Sequence, residues 1–249
     1  DLKVKYRRST LGLLWSVLNP LLMSIVISIV FQNFFRFDVP NFAIYYLTGS
    51  LIFNFMNEAT SSAMVSIVGN APLIKKVYIP KYIFPLEKVM FAFVNMLFSM
   101  IALVIMMGVT KLGIIGSAAD LNISWTIVLF FIPMLYTLVF SLGLGLILAA
   151  VNVYFRDVGH LYSVWTMAWM YLTPVIYPMS ILDGAPKWAV FIINANPLTA
   201  FIKIFRAVVL DGVTAPWILH VQSIVWCVIA LVIGSLVFKK SQDKFILKI

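Results

Sequence analysis

Residues 88–111 read KVMFAFVNMLFSMIALVIMMGVTK, and no side chain between Lys88 and Lys111 carries a charge. A helix rises ~1.5 Å per residue, so about 20 apolar residues cover a hydrocarbon core of ~30 Å. This stretch is therefore long enough to cross a bilayer. Working outward, the same pattern recurs between Arg8 and Arg36, Asp120 and Arg156, Asp157 and Asp183, and Asp211 and Lys239. From Asp38 to Lys75 the sole interruption is Glu58. The runs are continuous, without the apolar/polar alternation of a membrane barrel. They predict an all-α integral membrane protein with six spans at about 12–35, 43–68, 86–110, 125–151, 159–178 and 217–238.

Composition agrees. Hydrophobic residues make up 63% and charged residues 11%, against about 25% charged in soluble domains. A single transmembrane domain over 1–249 is expected. The formal charge of +9 does not require nucleic acid, because the basic residues border apolar runs rather than forming one face. Six spans put both termini on one side. That side collects Lys3, Lys5, Arg7, Arg8, Lys75, Lys76, Lys81, Lys88, Arg156, Lys239, Lys240, Lys244 and Lys248. The other keeps Arg36, Lys111, Lys187, Lys203 and Arg206. The positive-inside rule makes the termini cytoplasmic. The first run is too long for a cleavable signal and lacks a small-residue cleavage pattern.

Residues 180–212 are too apolar for an ordinary external loop. Trp188 to Ile202 is uncharged, yet too short for a comfortable crossing, and Asn194-Ala195-Asn196-Pro197 breaks it. A re-entrant or interfacial helix pair between spans five and six is expected. Lys203 and Arg206 lie three apart there. They either snorkel to anionic headgroups, the preferred reading, or meet a lipid-linked pyrophosphate or anionic polymer.

Catalytic chemistry is missing from the pattern. There is no GxxxxGK[ST] phosphate loop, no HExxH and no Cys/His ligand set. His160 and His220 fall near opposite faces, and the single Cys227 makes no internal disulfide. Glu58 is the one acid deep in a span, a thin basis for an ion-coupled relay. Uphill transport would draw its energy from another subunit. A membrane enzyme would need clustered acids, histidines or bases at one face, and a passive channel would need no ATPase at all.

Three features invite a functional reading. Between Pro72 and Pro85, the segment LIKKVYIPKY has an apolar side made of Leu73, Ile74, Val77 and Tyr78, with Lys75, Lys76, Pro80 and Lys81 around it. It is either a loop at the headgroups or a short helix offered to a cytoplasmic partner. Asn54, Asn57, Glu58, Ser61 and Ser62 recur at three- and four-residue intervals and share one helix face. They form either a buried interhelix contact or a pore wall for sugar hydroxyls. Tyr45, Tyr162, Trp165 and Trp169 are aromatic candidates for a channel lining over which sugars slide; belt and packing roles compete.

The run NAPLIKKVYIPKYIFPLEKV (70–89), followed by NVYFRDVGHLYSVWTMAWMYLTPVIYP (152–178), resembles the permease subunits of ABC-2 type exporters. The likeness is to the branch exporting O-antigen, capsule or teichoic acid, and it covers nearly the whole chain. The start DLKVKYRRSTLGLLWSVLNPLL looks like that family's N-terminal interface helix, here about 1–11, entering span one. An Arg usually precedes the Asp-Leu-Lys start, so an upstream segment is expected. The resemblance implies a homodimer with two copies of a cytoplasmic ATPase, which would bind the ATP and Mg; this chain would carry no cofactor or metal. It implies a coupling helix at about 72–82 and a second ATPase contact at Arg156 and Asp157. It implies an undecaprenyl-linked glycan as cargo and a bacterial cytoplasmic membrane as location. An ABC-2 exporter of drugs or small lipids is the alternative.

Overall fold

The computed structural model describes residues 12–35 and 39–248. The expected interface helix at 1–11 and the cation Arg36 lie outside the described residues. Among those described, every regular element is helical.

A short 3-10 turn, Gly12–Leu14, leads into α1, Trp15–Asn33. Then come α2, Phe42–Gly69, α3, Ala71–Lys76, and α4, Ile83–Lys111. A 3-10 segment, Trp125–Phe130, enters α5, Phe131–Tyr154, and a tight turn leads to α6, Val158–Tyr171. The 3-10 segment Met179–Gly184 precedes α7, Lys187–Ala195, and α8, Pro197–Val209. The chain closes with α9, Trp217–Ser241, a 3-10 turn Gln242–Lys244, and α10, Phe245–Lys248. Among the described residues, four stretches are long and apolar enough to cross a bilayer: Trp15–Gln32, Ile83–Lys111, Trp125–Tyr154 and Trp217–Lys248. The pair α7 and α8, bent by 75°, makes a fifth if counted as one broken span.

Helix α2 is the hub, packed against α1, α4, α5 and α8. Its polar stripe makes it less apolar than the long helices around it, and it is correspondingly enclosed: Ile44, Leu47, Ile52, Met56, Ala59 and Ala63 are fully buried. Lipid cannot hydrogen-bond amides and hydroxyls, so a polar helix belongs inside the bundle. Helices α5 and α9 make the most extensive pair. A Cβ built on Gly143 would overlap the backbone of Ala230, and one on Gly234 would overlap the Gly143 carbonyl. Small residues let the two backbones touch, as packing in lipid favours.

Two expected segments differ in length. The fifth predicted span, 159–178, is helical only over α6, 14 residues, which at ~1.5 Å each reach about 21 Å. Pro174 ends it by disfavouring helix at the residue before it. The predicted helix at 72–82 is helical only over the six residues of α3; Val77 is already extended, at φ −131° and ψ 134°. The predicted break near Asn196-Pro197 falls where α7 meets α8. Asn196 caps α8 by accepting from Leu198 N at 3.1 Å. Trp226 and Gln222 of α9 donate to the carbonyls of Ala195 and Asn194, at 3.0 and 2.6 Å, and so satisfy the backbone freed by the bend.

Candidate functional site

The polar face of α2 looks into a cavity of about 630 Å³ between α1, α2 and α4. Asn54, Asn57 and Glu58 line it. Facing them are Ser16 and Asn19 on α1, and Asn95 and Ser99 on α4. Asn95 is the junction: its Nδ2 donates to Glu58 Oε2 at 2.8 Å, and its Oδ1 accepts from Ser16 Oγ at 2.8 Å. Ser99 Oγ donates to the Ser16 carbonyl at 2.9 Å. Glu58 is held by an interhelix hydrogen bond, and the same face borders open space. The sequence reading did not single out Asn95 and Ser99. Their signal was there, since they are four apart in the otherwise apolar run of α4 and so share a face.

Ser61 lies one turn along and donates to Asn57 Oδ1 at 3.3 Å. It buttresses the wall rather than lining the cavity. The aromatic candidates do not join it. Tyr162 is buried, with its hydroxyl 2.6 Å from Thr60 Oγ1. Trp169 Nε1 donates to Asn196 Oδ1 at 3.0 Å, which holds the bend between α7 and α8. Trp165 lies 6.0 Å from Trp169 with the rings tilted by 50°, and it is 54% exposed on the outer side of α6. Tyr162 and Trp169 thus meet α2 and the bent pair instead of α1 and α4.

Tyr45 turns away from the cavity and takes part in a second polar cluster built around Arg206. This corrects the expectation that Arg206 reaches headgroups or pyrophosphate. The residue is 7% exposed. Its Nη1 donates to Tyr45 Oη at 2.8 Å and its Nη2 to the carbonyls of Tyr45 and Val175, both at 3.1 Å. Its Cζ stacks 3.5 Å from the Tyr45 ring centroid. Tyr45 Oη in turn donates a hydrogen bond to the Tyr177 carbonyl at 3.0 Å. Gly49 makes this possible, since a Cβ there would sit 2.9 Å from Arg206 Nη2. Lys203, half-buried, donates to Asn194 Oδ1 at 2.7 Å and so ties α8 to the end of α7.

The third assembly is at the end of the bundle that carries the C-terminus. Ile74 of α3 is buried with Ile67, Val153, Phe238 and Phe245. That anchor leaves Leu73, Val77 and Tyr78 exposed, the last at 98%. Lys75, Lys76 and Pro80 are exposed beside them. Lys81 Nζ donates to the Gln242 carbonyl at 2.6 Å, and Tyr154 Oη to the Ser241 carbonyl at 3.2 Å. The end of α5, with exposed Arg156 and Asp157 after it, is therefore brought to the same end as α3. Exposed basic and apolar side chains thus surround the docked helical turn.

Comparison with known proteins converges with this arrangement. A family model described as ABC-2 type transporter matches residues 1–210. An O-antigen export system permease protein RfbA of Klebsiella pneumoniae is 29% identical over 245 residues, 98% of this chain and 90% of that protein. Another, from Myxococcus xanthus, is 30% identical over 208 residues, 84% of this chain and 76% of that protein. The capsule polysaccharide export inner-membrane protein CtrC of Neisseria meningitidis is 26% identical over 243 residues, covering 94% and 86%. A helical bundle built around a polar hub, with the family model spanning most of its length, belongs to the ABC-2 type transporter family.

Proposed function

We propose that this chain is the transmembrane permease subunit of an ATP-driven exporter of lipid-linked polysaccharide in the bacterial cytoplasmic membrane. The observation that carries the reading is its similarity, over nearly its whole length, to permeases named for O-antigen and capsule export. Those names disfavour the alternative, an exporter of drugs or small lipids. The cavity of α1, α2 and α4 agrees in kind, because amide and hydroxyl groups hold sugar hydroxyls without tight binding, as a conductor must.

In this reading α1, α2, α4, α5, α6 and α9 cross the membrane, and α7 and α8 dip in from outside. The stretch after α6 would finish the fifth crossing. Its irregular backbone is tolerable at depth because Arg206 takes the Val175 carbonyl and Tyr45 takes that of Tyr177. The end with Lys75, Lys76, Arg156, Lys239 and Lys240 faces the cytoplasm. Two copies of the chain form the channel. Two copies of a separate ATPase, holding ATP and Mg, seat on Leu73–Tyr82 and on Arg156 and Asp157. Closure of the ATPases pushes on α3, and the dimer opens a path for the glycan.

The test is deletion in the source strain, with surface glycan and co-purifying ATPase as readouts. Loss of surface glycan and recovery of an ATPase with the tagged chain are expected. Alanine at Lys75, Lys76 and Tyr78 should leave the chain folded and dimeric but uncouple hydrolysis from export. Unaltered surface glycan in the deletion strain would refute the cargo, and unaltered export in the triple variant would remove the coupling role.

A further inference from the structure

A second cavity, about 420 Å³, opens on the outer side of the bundle between α4, α5 and α9. This size lies within the ~300–1,000 Å³ of ordinary small-ligand sites. It begins next to the backbone contact of Gly143 with Ala230 and Gly234, where α5 and α9 touch. Toward the C-terminal end, α9 and α5 leave room between them, and the first turn of α4 forms the third wall. The walls follow helical spacing: Leu142 and Leu146 on α5, Leu231 and Phe238 on α9, Leu86 on α4. Polar groups are concentrated at one end, where Tyr82, Lys239 and Gln242 line the mouth; the hydroxyl of Ser235 is the polar exception between the two ends. Lys240 is exposed next to Lys239.

Three properties single out the occupant. From Leu231 on α9 to Gln242 just past its end, the groove spans eleven residue steps, ~16 Å at ~1.5 Å per step, or about one half of a ~30 Å hydrocarbon core. Its polarity runs one way, apolar where α5 and α9 touch and cationic at the C-terminal end. Lys81, which could also face the mouth, already donates to the Gln242 carbonyl and sits 5.9 Å from the Phe245 ring centroid. That leaves Lys239 as the cation lining the groove. We infer that the groove between α4, α5 and α9 is a binding site for one anionic phospholipid of the leaflet that holds the C-terminus. Its acyl chains lie along Leu142, Leu146 and Leu231, and its phosphate group meets Lys239 and the Tyr82 hydroxyl. Acyl burial supplies the affinity, and the lysine supplies the preference for negative charge.

The test is native mass spectrometry of the full-length chain, released from detergent after incubation with phosphatidylglycerol or phosphatidylcholine. Retention of one phosphatidylglycerol per chain is expected, roughly fivefold above phosphatidylcholine, the preference that one lysine near a charged headgroup confers. Lys239→Gln should lower phosphatidylglycerol retention about fivefold, to the level of phosphatidylcholine. Leu231→Trp should lower retention of both lipids; Leu142→Trp is the second filling variant should the first fail to accumulate. Equal retention of the two lipids by the unaltered chain would overturn the inference. So would a preference surviving Lys239→Gln, preferential retention of an isoprenyl phosphate, or occupation of the groove by a second copy of the chain. Export is not read in this assay, so its failure is distinguishable from failure of the exporter reading.

Discussion

Replacing Arg206 by Met keeps the length and apolar stem of the side chain and deletes the guanidinium. The Tyr45 carbonyl keeps a donor, because Thr48 Oγ1 also bonds it at 2.8 Å. The Tyr45 hydroxyl still donates to Tyr177. The Val175 carbonyl, buried with its residue at 2% exposure, loses the Arg206 donor. An orphaned buried acceptor costs ~1–3 kcal/mol, and the stacked cation, 3.5 Å from the Tyr45 ring centroid, adds about 2 kcal/mol when desolvated. Relief from burying a charge acts in the opposite direction. A net loss of about 2–3 kcal/mol follows, which lowers Tm by ~4–12 °C for a chain of this size. The assay is thermal unfolding in detergent. Tyr45→Phe removes two hydrogen bonds, the one accepted from Arg206 and the one donated to the Tyr177 carbonyl, and should cost ~1–3 kcal/mol. The double variant should cost less than the sum, because both changes remove the same Arg206–Tyr45 bond. Full additivity, or an Arg206→Met chain as stable as the parent, would refute the cluster as a support of the bent pair.

Other perturbations separate the remaining features. Asn95→Leu removes a hydrogen-bond partner of both Glu58 and Ser16; export should fall several-fold, and cysteines paired across α1 and α4 should crosslink less efficiently. Gly143→Leu forces a side chain into the Ala230 backbone and should prevent accumulation of folded chain, whereas Gly108→Ala meets no atom within 4 Å and should accumulate normally on immunoblots. Asn196→Ala strips the cap of α8 and the acceptor of Trp169; a destabilisation of ~1–2 kcal/mol is expected, measurable as a shift in Tm.

How much of this was legible before folding depended on how local the cause was. Charge-free runs marked the long helices because a lipid core admits few alternatives, and Asn196-Pro197 marked the bend because proline and an Asx cap act on their own backbone. The short extent of α6 was also written locally, in Pro174 and Pro178, but the uncharged run continuing to Asp183 outweighed it. Arg206 was another matter. Its burial needs Tyr45, Gly49 and Val175, which come from two other segments, and no pattern along α8 reveals that they meet it. The polar stripe of α2 was visible as a face, while its counterpart on α4 was reduced to two residues, too sparse to stand out against an apolar run. Fold is recorded in periodicity, whereas a site records which faces meet.

The backbone contact between Gly143 and Gly234 has a mechanical side. No layer of side chains separates α5 from α9 there, so the two cannot shear by exchanging rotamers. The short helix α3 inserts Ile74 into the same buried apolar cluster as Val153 of α5 and Phe238 of α9. Under the proposed coupling role, a push on Tyr78 and its neighbours would meet α5 and α9 as a single stiff pair.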